Sequence, residues 1–315
     1  METIPSVLCF PALPGGSYPC LVARGLLQEV ADAAAIAALP SSERAAVRVL
    51  ITNATRGCDA ALLALLPGLE LLISLGAGLD RIDRPALAAR GVALRAVGEA
   101  LTEDVADLAM ALTLMTARRL VAADAFARGG AWQGARFAPG RSLAGATMGI
   151  AGVGGRIGQA IRRRAEAARM HVVGLARPSA EGLGIALLPD MAALAAASDV
   201  LMLVLPGGAG LRHVVGTPVL RELGPDGILI NVGRGELVDT TALIAALEQG
   251  MIAAAGLDVL EGEPAVPAAL AALPNVTLTP HIGGATLGAR ARAAAIAEET
   301  VLDLLGLHAG RPASA

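Results

Sequence analysis

Seven short apolar runs punctuate the chain, at residues 71–73, 149–152, 172–175, 200–205, 227–232, 254–259 and 276–279. Alanine-rich helical patterns lie between them, among others over 157–168 and 242–249. Runs this short and this uniformly apolar read as strands buried on both faces, and strand–helix alternation is the rhythm of βαβ units in a parallel sheet. A longer helical pattern covers 102–128. It opens on Thr102 as a cap and carries Glu103 and Asp104 in its first turn, where negative charge suits the positive end of the helix dipole. That helix is the natural connector between two domains, and 315 residues suffice for two cores. The expected division sets 1–98 with 287–315, and leaves 99–286 as a continuous middle domain.

Composition removes several function classes. All 25 basic side chains are arginine, so there is no Schiff-base lysine, no lysine nucleophile and no G-x-x-x-x-G-K-[ST] phosphate loop. Aromatic residues make up 2% and the net charge is -3, which argues against nucleic-acid binding. Mean hydropathy is positive, but the most apolar stretch, 60–79, is broken by Pro67 and Glu70 and makes a poor membrane span. The start, Met1-Glu2-Thr3, lacks the basic region of a signal peptide. Cys9, Cys20 and Cys58 form no C-x-x-C pair and read as small buried hydrophobes in a reducing cytoplasm. No His/Cys cluster has metal-ligand spacing.

The run at 149–152 feeds a turn containing Gly152, Gly154, Gly155, Arg156, Ile157 and Gly158. Glycines let a backbone turn tightly and approach a pyrophosphate, which then rests on amides at the helix N-terminus. The spacing from Gly152 is G-x-G-x-x-x-G, one place longer than the usual fingerprint. Counting back from Gly158 instead sets Val153 at the first glycine position. A strand before and a helix after favour dinucleotide binding over an ordinary turn. An NAD site usually carries an acid about 20 residues further on. Here Ala176 occupies that place, followed by Arg177 and Pro178. A missing carboxylate and a nearby guanidinium favour NADP(H), with NAD(H) possible; the plain alternative is a surface arginine beside a permissive site. The triplet Arg162-Arg163-Arg164 reads as the solvated end of a helix.

Three further segments each set polar groups at the end of a buried run: 230–239 (I-N-V-G-R-G-E-L-V-D), 256–264 (G-L-D-V-L-E-G-E-P) and 278–286 (L-T-P-H-I-G-G-A-T). Sites form at such strand ends in open parallel sheets. Together with 74–80 (S-L-G-A-G-L-D), 105–108 (V-A-D-L), 128–132 (R-G-G-A-W) and 143–145 (L-A-G), these make the chain resemble the D-isomer-specific 2-hydroxyacid dehydrogenase family over most of its length. The resemblance implies an α/β fold of two Rossmann-like domains with doubly wound parallel sheets, the nucleotide-binding domain being inserted in the substrate domain.

It also implies roles. Arg234 matches the arginine that binds the substrate carboxylate and polarises its keto oxygen. His281 matches the general acid/base, and Glu263 the carboxylate that holds this imidazole and raises its pKa. Gly76, Ala77 and Gly78 would offer amides to the carboxylate. Asp258 resembles the residue beside the nicotinamide, and Leu205, Pro206, Val232 and Gly283 fall at further cofactor contacts. Taken singly, each admits a packing or turn role; their order on three successive strand ends carries the catalytic reading. His171, His213 and His308 lack such context and read as structural or exposed. Two departures stand out: Leu211 where a threonine is common, and Leu260 where an aromatic is common. The chain ends 34 residues after His281, which weighs against a regulated phosphoglycerate dehydrogenase.

The expected activity is NADPH-dependent reduction of a small 2-oxo acid, such as glyoxylate or hydroxypyruvate, to the D-2-hydroxy acid. Alternatives are an NAD-dependent D-2-hydroxyacid dehydrogenase of other substrate range, or a non-catalytic dinucleotide-sensing protein on the same fold. The family also suggests a homodimer formed around the segment after the long helix, which includes Trp132.

Overall fold

The computed structural model describes residues 5–10 and 18–307; Met1–Thr3 and His308 lie outside them. The chain divides into two compact units, one running to Leu101 and resuming at Thr286, the other spanning Thr102–Ala285. The divisions fall slightly away from residues 98 and 286 for local reasons. A 3-10 turn at Gly98–Leu101 packs its Ala100, with Val97, against Ala293, Ala294 and Ala297 of the helix Leu287–Leu305. Thr286 caps that helix by accepting from the Ala289 amide.

The first unit holds a five-stranded sheet: β1 Val7–Cys9, β2 Leu27–Glu29, β3 Val49–Thr52, β4 Leu71–Ser74 and β5 Ala93–Ala96, ordered β2-β1-β3-β4-β5. The second holds seven: β6 Thr147–Ala151, β7 His171–Leu175, β8 Ala186–Leu188, β9 Val200–Leu203, β10 Ile228–Asn231, β11 Ala254–Leu257 and β12 Val276–Leu278. Their order is β12-β11-β10-β9-β6-β7-β8. Every pairing is parallel. Each chain path reverses direction partway across its sheet, so both units are doubly wound and Rossmann-like. The inner strands β3, β4, β9 and β10 are buried along their whole length, as apolar runs require when helices cover both faces. The edge strands β2 and β8 are not.

Four expectations need correction. The 102–128 helix is two helices, Thr102–Arg118 and Leu120–Arg128, broken at Arg119, which adopts a left-handed φ of +52°. The Arg141 amide donates to the Ala117 carbonyl at 2.8 Å, taking an acceptor that an unbroken helix would give to residue 121. Thr102 is not a cap: the 3-10 turn runs straight into the helix, and the Thr102 hydroxyl is buried without a partner. The arginine triplet is not a solvated helix end. Arg163 and Arg164 reach Glu103 on the helix Thr102–Arg118, Arg164 also reaches Asp107, and Arg162 bonds Glu166 and the Leu183 carbonyl. Cys20 is exposed, whereas Cys9 and Cys58 are buried, and none of the three is in a disulfide. Among the described residues no helix is long and apolar enough to cross a membrane, and no cluster fit to hold a metal occurs.

Candidate active site

β10, β11 and β12 are neighbours in the sheet, so the segments leaving their C-terminal ends run side by side. These segments carry Arg234, then Asp258 and Glu263, then His281.

After β10, the chain is folded back on itself by Asn231, which is 1% exposed. Its side-chain oxygen accepts from the Gly233 amide at 3.0 Å and its amide donates to the Arg234 carbonyl at 2.9 Å. Arg234 is half-buried, and its guanidinium also donates to the Gly233 carbonyl. Val232 is buried beneath. The sequence reading gave Asn231 no role, although the N-V-G-R-G order contains it; a short polar residue at a buried strand end is the signal.

After β11, Asp258 is 3% exposed yet ionisable. Its Oδ1 accepts from the Thr279 hydroxyl at 2.7 Å and the Ile282 amide at 2.8 Å, and its Oδ2 from the Gly283 amide at 2.9 Å. Its carbonyl accepts from the His281 amide at 2.8 Å. Asp258 is thus the scaffold of the His281 loop. This matters because His281 has a left-handed φ of +54°, a conformation that costs about 1–3 kcal/mol outside glycine and persists where surroundings over-determine it. Four hydrogen bonds to one residue supply that constraint.

The His281 Nδ1 lies 2.7 Å from Glu263 Oε2, while Glu263 Oε1 accepts from the Leu260 amide at 2.8 Å. An ionised carboxylate only accepts, so Nδ1 carries the proton and Nε2 is left for chemistry. The couple is part-exposed, at 35% for Glu263 and 45% for His281.

Two strands from β10 in the sheet, β6 ends at Ala151 and the helix Arg156–Ala167 begins five residues later. Gly152 takes φ +105°, and a Cβ on Gly158 would lie 2.2 Å from the Gly152 carbonyl oxygen. Gly155 sits extended at the N-cap with no side-chain cap, the arrangement that leaves first-turn amides for an anion. A Cβ on Gly154 would lie 2.3 Å from the Ser179 carbonyl oxygen, so this turn abuts the segment containing Arg177 and Pro178. Arg177 is exposed and donates to the Ala176 carbonyl at 2.7 Å. The residues present therefore fit a dinucleotide: a bare glycine cradle, an uncapped helix end, and a guanidinium where an acid is absent. Leu205 is buried and Pro206 exposed just beyond β9.

Leu211 packs its side chain against the apolar core of this unit, as does Leu260; each departure has become a packing residue. His213 is not without context, because its Nε2 lies 3.0 Å from Glu261 Oε1. His171 is exposed. In the first unit, Gly76, Ala77 and Gly78 follow β4 after a single intervening residue, Leu75.

Residues 110–283 match the family model "D-isomer specific 2-hydroxyacid dehydrogenase, NAD binding domain". Over 252 residues the chain is 40% identical to a glyoxylate/hydroxypyruvate reductase of Arabidopsis thaliana, covering 80% of each. It is 39% identical to a 2-ketogluconate reductase of Gluconobacter oxydans, over 78% of this chain and 79% of that one. Its fold superposes with a TM-score of 0.86 on the NADPH-dependent glyoxylate/hydroxypyruvate reductase of Sinorhizobium meliloti solved with NADP and malonate, at 35% identity over 96% and 94% of the two chains. The chain belongs to the D-isomer specific 2-hydroxyacid dehydrogenases and is an NAD(P)-dependent oxidoreductase.

Proposed function

We propose that this enzyme reduces small 2-oxo acids of the glyoxylate and hydroxypyruvate type to D-2-hydroxy acids in the cytoplasm, with NADPH as its preferred cofactor. The observation that carries the reading is the 2.7 Å Glu263–His281 couple on a loop fixed by Asp258, beside the loop of Arg234.

A bound nicotinamide dinucleotide supplies the hydride; the turn from Gly152 to Gly158, with Arg177, would hold it. Arg234 takes the substrate carboxylate, since a planar guanidinium matches a planar 2-oxo acid, and its charge polarises the keto oxygen. Glu263 fixes the imidazole by Nδ1, so His281 delivers a proton from Nε2 to the oxygen in reduction and accepts it in oxidation. Gly76, Ala77 and Gly78 are assigned amide contacts to the same carboxylate. NADPH preference rests on Ala176 and Arg177, where a 2′-phosphate meets no carboxylate and gains a guanidinium; the Sinorhizobium meliloti relative is itself NADPH-dependent. Trp132, 73% exposed, with exposed Leu120 and Val121 nearby in sequence, supports a homodimer through this segment.

The test is a steady-state assay of the purified protein with glyoxylate, hydroxypyruvate and larger 2-oxo acids, each with NADPH and NADH. Turnover of the small acids with kcat/KM higher for NADPH is expected, and Arg177→Ala is expected to erase most of that preference. Absence of turnover across the panel, despite cofactor binding, sinks the enzyme reading; NADH preference sinks the role of Arg177.

A further inference from the structure

Glu261 stands two residues before Glu263 and at first looks redundant with it. Its surroundings are different. Glu261 Oε1 lies 3.0 Å from His213 Nε2 and also accepts from the Arg212 guanidinium, and Oε2 accepts from the Thr240 hydroxyl at 3.4 Å. Arg212 and His213 belong to the segment after β9, Thr240 to the segment after β10, and Glu261 to the segment after β11. One carboxylate therefore gathers the chain leaving three adjacent parallel strands.

The same three segments are zipped elsewhere along this seam. The His213 amide donates to the Glu236 carbonyl at 2.8 Å, and Glu236 Oε1 accepts from the Gly208 amide at 2.7 Å. Val215 bridges Val238. Gly235, next to Arg234, lies so close to the Leu260–Glu261 peptide that a Cβ there would come within 1.9 Å of the Leu260 carbonyl carbon. The Leu260 amide in turn holds Glu263, the partner of His281. Burial of the Glu261 carboxyl pushes its pKa up, but the His213 hydrogen bond and charge, with Arg212 and Thr240, outweigh this and hold it below the usual carboxylate range. It is therefore the ionised form that ties the segments at neutral pH. His213, like His281, is held at a left-handed φ, here +54°, so its backbone too is over-determined by these contacts.

We propose that Glu261, through His213, is a positioning residue that clamps the Arg234 loop against the Leu260–Glu263 segment and so sets the substrate-binding guanidinium in register with the Glu263–His281 couple. This rests on the activity proposed above. Neither Glu261 nor His213 touches the reacting atoms in this scheme; they act through Gly235 and Leu260. Fixing a reacting constellation to within fractions of an ångström is what such supporting contacts do.

The test uses Glu261→Gln, His213→Asn and the double variant in the full-length enzyme. Each is measured for cofactor Kd, thermal unfolding, and kcat and KM for the 2-oxo acid. The clamp predicts KM for the 2-oxo acid raised several-fold and kcat/KM lowered roughly tenfold in Glu261→Gln, the range for coupled neighbours. Cofactor Kd is expected to change less than the KM for the 2-oxo acid, because the glycine turn follows β6, one strand beyond the three whose trailing segments Glu261 gathers. His213→Asn is expected to show the same split, and the double variant to be no worse than Glu261→Gln. Glu261→Asp, which keeps the charge, is expected to recover part of the loss. A lowered unfolding temperature with unchanged kcat and KM in the folded fraction makes the cluster a stability feature only and overturns the proposal. So does additive loss in the double variant. If Glu261→Gln does not fold, His213→Asn, at a part-exposed side chain, decides alone. A wild-type enzyme without turnover sinks the proposed activity and this inference with it; an active wild type matched by Glu261→Gln sinks only the clamp.

Discussion

His281 carries two demands at one position: a side chain that moves a proton and a backbone held at φ +54°. The two are separable by substitution. Asparagine tolerates the left-handed region better than most residues, so His281→Asn keeps the loop while removing the proton donor. We expect it to lower kcat by about 10²–10⁴-fold, the usual worth of general acid–base catalysis, with cofactor Kd and unfolding temperature little changed. Retained turnover would remove His281 from proton transfer. The motif order displayed Arg234, Glu263 and His281 because each sits in a short string of distinctive residues. Asp258 was visible as a residue but not as a scaffold. Its three side-chain hydrogen bonds close through Thr279, Ile282 and Gly283 on the next strand's segment, and no local pattern encodes a contact made 21 to 25 residues away.

At the scale of the element, apolar runs located β4, β6, β7 and β9 to β12, since a strand covered on both faces has no choice but to be apolar, but passed over β1 and β3, which are buried along their whole length. Helix limits were less legible. The break at Arg119 depends on the Arg141 amide capturing the Ala117 carbonyl, and the arginine triplet depends on Glu103 and Asp107 lying on a helix some 57 to 61 residues earlier in the chain. Neither is a property of the segment itself. The helix Thr102–Arg118 also contains a mismatch. Thr113 satisfies its hydroxyl on the Ala109 carbonyl at 2.8 Å, but the buried Thr116 hydroxyl has no partner. It faces Gly256 of β11, where even a Cβ would come within 2.7 Å of Thr116 Oγ1. An unsatisfied buried hydroxyl costs free energy that an isosteric methyl does not. Thr116→Val is therefore expected to stabilise the protein by about 1 kcal/mol, read as a higher urea midpoint at unchanged slope. A lower midpoint would mean that the hydroxyl is satisfied in solution.

Across the whole molecule, the strand–helix rhythm accounts for the seven-stranded sheet except its edge strand β8, but for only β4 of the five-stranded one, and the composition governs which cations the chain has. With no lysine, every fixed cation is a guanidinium, suited to planar anions and to several partners at once; Arg164 uses this to bind Glu103 and Asp107 together. Composition says less about the thiols, which read alike in sequence. Cys20 is exposed, while Cys58 is buried in the first unit, paired in a bridge with Ile82. Burial, reinforced by Asp59 and Asp83 and opposed by Arg90, pushes the Cys58 thiol up to about 11. A proton held more tightly in the folded state than in the unfolded one contributes stability below the unfolded pKa of about 8.5. That contribution is lost as pH rises towards the folded value. Wild-type stability is thus expected to fall between about pH 8.5 and 11 more steeply than that of Cys58→Ala, when urea midpoints are compared across that range. The comparison removes every other alkaline titration, because only Cys58 differs between the two proteins. Parallel curves would show that the Cys58 thiol ionises as readily in the folded protein as in the unfolded chain.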